Sequence, residues 1–143
     1  MKSKIIRYTP SVIWMGIIFY LSHQPGNESA STSNQVLEVI FNVLPLSTEN
    51  EVFLHTVIRK LAHFSAYALL SILIYIAYRG KKATLFTFVI CLIFAISDEI
   101  HQLFIPGRSG EVRDVLIDMS GVVFSLMIIY LIRKIRSRRD FNV

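Results

Sequence analysis

Apolar residues gather in four long runs, at 5–21, 61–78, 83–104 and 115–132, separated by polar breaks. Each run approaches the roughly 20 residues that a helix needs to cross a hydrocarbon core. The pattern predicts an all-α, integral membrane four-helix bundle, forming a single domain over 1–143. The break between the first two runs is the only long one, and Val36, Val39, Ile40, Val43 and Leu44 recur there at helical spacing until Pro45. A short interfacial helix is expected between spans 1 and 2. Thr48 and Glu51 have the form of a capping box, so the second helix is expected to run in from about Glu49. The last break, Ile105 to Gly110, holds Pro106, Gly107 and Gly110, which suit a tight reversal that keeps spans three and four adjacent.

Composition agrees with this pattern, since 53% of the 143 residues are hydrophobic and only 17% are charged. Charge then orients the spans. Lys2, Lys4 and Arg7, then Arg79, Lys81 and Lys82, then Arg133, Lys134, Arg136, Arg138 and Arg139 fall on one side, and nearly all the acids on the other. Basic residues beside short loops stay in the cytoplasm, so both termini are expected to be cytoplasmic. A basic start followed by Val12 to Leu21 also has the outline of a signal peptide, a competing reading that would leave three spans. The net charge of +5 is assigned to lipid headgroups and topology, with no nucleic-acid partner expected. Cys91, the single cysteine, has neither a disulfide partner nor metal-ligand spacing.

Candidate chemistry concentrates at the less basic end. Lys60, His63, Tyr67 and Ser71 share one face of the second span, and Asp114, Asp118, Gly121 and Ser125 one face of the fourth. Asp98, Glu99, His101 and Gln102 close the third, with Gln102 one turn beyond Asp98. Ionisable groups at such depths are expensive in lipid and should face one another around a wet interior. Candidate catalytic residues are His63, Glu99 and Asp98, a histidine with two carboxyls that could exchange protons. Candidate binding residues are Lys60, Tyr67, Gln102, Arg108, Asp114 and Asp118, with Arg108 suited to bidentate contact with a phosphate or carboxylate. Asp98 or Glu99 is expected to pair with Lys60 or Arg108. The same acids offer oxygen ligands for a divalent cation, although no metal motif is present and no cofactor is expected. Each group also has a structural reading, as hydrogen-bond glue or salt bridges between helices.

Arg59 to Tyr67, containing Lys60, His63 and Tyr67, resembles the signature of the VanZ-like membrane proteins. Asp98-Glu99, Gln102 and Pro106-Gly107-Arg108 are similar to that family's next block, Asp114 to its following aspartate, and Leu21 to Gly26 to the end of its first span. The departure is Asp118, where the family commonly carries asparagine. The resemblance implies a multi-pass protein of the bacterial cytoplasmic membrane with its polar site facing outward. The family is named for a member linked to resistance to the glycopeptide teicoplanin. It supplies no established reaction, so enzymatic activity stays open.

The function expected is binding of an anionic lipid or a lipid-linked cell-envelope precursor at the outer leaflet, with modification as its stronger form. The alternatives are a non-enzymatic accessory or scaffold protein and a proton-coupled lipid carrier, for which four spans would require oligomerisation.

Overall fold

The computed structural model of the chain describes residues 2–26, 31, 51–78 and 80–140. They form four helices: α1 (Lys2–Ser22), α2 (Glu51–Ala77), α3 (Ala83–Gln102) and α4 (Val112–Asp140). Strands are absent among the described residues. Among the described residues three segments are long and apolar enough to cross a membrane, Phe53–Ala77, Ala83–Gln102 and Val112–Arg138, with mean hydropathies of 1.5, 2.0 and 2.3. The chain is therefore a membrane protein built as a helical bundle. The expected interfacial helix and the Thr48 cap lie outside the described residues.

Burial is inverted relative to a water-soluble domain. Val12, Ile76, Leu85, Ile93, Leu116 and Tyr130 are exposed, whereas Ser71, Thr87, Asp98, Gln102, Asp118 and Ser125 are buried. Lipid replaces water on the outside, so apolar side chains lose little by facing outward and polar ones must find partners within.

The most extensive packing joins α2 to α4. It depends on Gly121, because a Cβ there would run into the backbone carbonyl of Phe64. Such an approach is what small residues permit between membrane helices. One turn further, the Ser71 and Ser125 hydroxyls share a hydrogen bond across the same seam. Around them Tyr67, Leu70, Cys91, Ala95 and Val122 are wholly buried.

α1 docks on α2 through Trp14, whose Nε1 donates to the Ala66 carbonyl at 2.9 Å. This bond should be worth about 1 kcal/mol, so Trp14→Phe is expected to lower the thermal midpoint in detergent by roughly 2–4 °C. An unchanged midpoint would show that shape alone seats the ring.

α3 ends at Gln102, two residues before the run that predicted it. The residue before a proline resists helical geometry, and Ile105 precedes Pro106. The chain tightens instead, with Phe104 and Ile105 donating to the carbonyls of His101 and Gln102 at 3.0 Å each. Gly107, at φ +74°, completes the reversal in a conformation that side chains rarely adopt.

Candidate functional site

Three helix ends meet at the reversal, those of α1 and α3 and the start of α4. α1 ends there, and Gly26 donates its N–H to the Pro106 carbonyl at 3.1 Å. A side chain at Gly26 would strike the carbonyl of Gly107. Arg108 closes the clasp: its Nε donates to the Gln24 carbonyl at 3.0 Å and its Nη2 to the Leu21 carbonyl at 3.1 Å. These bonds leave the remaining guanidinium N–H groups available.

Between this clasp and α2 lies a cavity of about 160 Å³. His63, Tyr67, Arg59 and Arg108 line it, together with Ser22 and Gln24 from the end of α1. Burial, and next the nearby Arg59 guanidinium, lower the Arg108 pKa from its ordinary value, against the opposing pull of Asp98, Glu99 and Asp114. Two cations thus share one wall. Among the described residues no carboxylate forms a salt bridge with either.

Behind the cavity stand the acids. His63 Nδ1 lies 3.2 Å from Asp118 Oδ1, with the imidazole 18% exposed and the carboxyl fully buried. A neutral imidazole that donates from Nδ1 to the Asp118 carboxylate leaves Nε2 as an acceptor. Asp98 takes a hydrogen bond from Ser22 Oγ at 2.7 Å, and Gln102 Nε2 reaches the same oxygen at 3.4 Å. Glu99 accepts the backbone N–H of Glu111 at 2.8 Å, which ties the end of α3 to the start of α4. Gly110 allows this approach, since a Cβ there would lie 2.6 Å from the Glu99 carbonyl oxygen. Asp114 is buried at the start of α4.

His63, Tyr67 and Arg108 therefore line one cavity, with Asp98, Gln102, Asp114 and Asp118 packed as a buried layer at the same end of the bundle. Two expectations are corrected. Lys60 stays half-buried off the cavity wall, one position along the helix from Arg59, which takes its place. Neither Asp98 nor Glu99 pairs with Lys60 or Arg108. A serine hydroxyl and a main-chain amide instead each bond one of their oxygens, at lower desolvation cost than a buried ion pair.

The sequence pattern did not single out Ser22, Gln24 and Arg59. It also set His101 aside, yet His101 Nε2 stands 3.1 Å from His23 Nδ1, and its ring stacks on Phe19 at 4.3 Å. The spacing of Leu21 to Gly26 before the turn was the available signal.

One oxygen each of Asp98, Glu99 and Asp118, and the Tyr67 hydroxyl, are buried without a hydrogen-bond partner. Groups in this state ordinarily hold water, a shared proton or a ligand atom. Among the described residues no three His, Cys, Asp or Glu side chains converge to hold one metal ion.

A profile of the VanZ/LLP1 family matches residues 8–133, most of the chain. The chain belongs to the VanZ/LLP1 family. No curated protein and no solved structure matches it significantly. In this VanZ/LLP1 protein the one departure noted in the sequence, Asp118, is the residue that contacts His63. Ser22→Ala would leave Asp98 with only its long contact to Gln102. The expected loss is about 1–3 kcal/mol, read as a lower thermal midpoint, and Ser22→Thr should restore it.

Proposed function

We propose that the cavity binds the phosphate or carboxylate group of an anionic lipid or lipid-linked envelope precursor, and that His63 moves a proton on the bound molecule. The observation that carries this reading is the pair of guanidinium groups, Arg59 and Arg108, facing the same small space as the acid-backed imidazole. An anion between them would relieve their repulsion and take charge-assisted hydrogen bonds from both.

In this scheme Arg108 and Arg59 hold the anion and Tyr67 supplies a hydroxyl from the cavity floor. Asp118 orients His63, leaving Nε2 as the proton acceptor. Asp98 and Glu99 position the helices that carry the site and do not touch the substrate. The asymmetry of basic residues supports a reading with both termini in the cytoplasm and the cavity at the outer leaflet of the bacterial cytoplasmic membrane.

The test is mass spectrometry of envelope lipids and lipid-linked precursors in cells lacking the protein, or carrying wild type, His63→Ala or Arg108→Ala at matched membrane abundance. One species should change on deletion and return only with wild type, the histidine variant losing about 10²–10⁴ in rate. Teicoplanin susceptibility, scored in the same strains, should follow that species. A species restored by His63→Ala but not by Arg108→Ala would identify a binding protein without bond chemistry. No changed species would end the lipid reading.

A further inference from the structure

The opposite end of the bundle holds a second cavity, of about 920 Å³, which shares no lining residue with the first. It exists because α4 has 29 residues and α3 only 20. At 1.5 Å per residue the difference is roughly two and a half turns, so the end of α4 overhangs the start of α3 and forms one wall.

Along that wall a single helical face changes character. Val123 and Met127 are apolar, Tyr130 is amphipathic, and Arg133, Lys134 and Arg138 follow at spacings of three and four. Tyr75 of α2 and Phe88 of α3 supply the facing side. Two of the cations are held in place before any ligand arrives. Arg133 Nη1 donates to the Tyr75 hydroxyl at 2.5 Å, and Lys134 Nζ lies 5.8 Å from the centre of the Tyr130 ring. Among the described residues no acid lines the cavity.

We infer that this cavity is a binding site for one anionic glycerophospholipid, with an acyl chain along Val123, Met127 and Phe88 and the phosphate at Arg133, Lys134 and Arg138. The gradient from apolar to cationic matches an amphiphile lying along the helix. A soluble anion would leave the apolar half uncovered. A zwitterionic lipid would bring its own cation toward three others. A second copy of the chain, docked by a twofold axis, would set basic surface against basic surface. Basic pockets between membrane helices are suited to anionic headgroups, each cation near the surface adding to the attraction.

The full chain, reconstituted in vesicles of dioleoylphosphatidylcholine with dioleoylphosphatidylglycerol as the minor component, is extracted and weighed by native mass spectrometry. With the first cavity's anion contact removed by Arg108→Ala, the chain should still retain phosphatidylglycerol well above its share of the vesicle. In that background, replacing Arg133, Lys134 and Arg138 together by alanine should weaken retention by about 10- to 100-fold. Val123→Trp, in the same background, keeps every charge at this cavity and fills the apolar half, so it too should lose the lipid, with an unchanged thermal midpoint in lipid-free detergent as the check on folding. Retention at the bulk ratio by the Arg108→Ala chain overturns the site. So does loss in the triple variant with full retention in Val123→Trp, which would mean diffuse attraction to headgroups. A lipid-free dimer overturns it as well.

Discussion

Replacing Gly121 with leucine is expected to lower the stability of the bundle by about 3 kcal/mol, a large share of the roughly 5–15 kcal/mol that holds a domain folded. Gly121 lies where α2 and α4 come closest, and even a Cβ meets the Phe64 backbone carbonyl there. A flexible side chain could move aside, but helical backbone cannot do so without opening the seam that also carries the hydrogen bond between Ser71 and Ser125. Gly121→Ala is the graded case. Alanine gains about 1 kcal/mol of helix propensity over glycine, and the clash costs about 1–3 kcal/mol, so a small net loss is expected. Thermal unfolding of the two variants beside wild type reads the order directly. A leucine variant as stable as wild type would mean that the seam does not hold the bundle together.

Arg108→Ala should have the larger functional effect. The guanidinium ties the Leu21 and Gln24 carbonyls to the reversal and also presents its free N–H groups to the cavity. Hydrogen bonds from a charged donor contribute about 1.5–3 kcal/mol, so loss of one such contact to a bound phosphate weakens binding by roughly 10- to 100-fold. Lysine keeps the charge but not the fork, and a single ammonium cannot serve two carbonyls and an anion in fixed directions. Arg108→Lys should therefore fall between wild type and alanine. Binding of dioleoylphosphatidic acid to the detergent-solubilised chain, measured with the basic-end cavity disabled by Val123→Trp, isolates this site. Equal affinity in all three forms would remove Arg108 from the ligand.

The helices and the inward polar faces were legible in the sequence because both follow from spacing. Tyr67 and Ser71, one turn apart, are both buried, and Gln102 reaches Asp98 as an i to i+4 pair should. Main-chain partners were not legible. Glu99 binds the amide of Glu111, and Arg108 binds two carbonyls at the end of α1, and no pattern of side chains announces such acceptors and donors. Arg59 and Lys60 illustrate a second limit. Neighbouring positions on a helix differ by about 100°, and stripe reasoning placed the cation on the shared face with His63, whereas the longer, forked side chain beside it lines the cavity. The α1 contribution was only partly legible, because Leu21 to Gly26 matched the end of the family's first span without giving Ser22 or Gln24 a role.

The order of synthesis fits the way the buried acids are partnered. Ser22 precedes Asp98 by 76 residues and His63 precedes Asp118 by 55. A ribosome adding about 5–20 residues per second therefore delivers each hydroxyl or imidazole seconds before its acid. An aspartate within a span costs more to insert than a serine or a neutral imidazole, even near the span's end. In both pairs the group that is hardest to leave in lipid is made second, when its counterpart is already in the membrane to receive it.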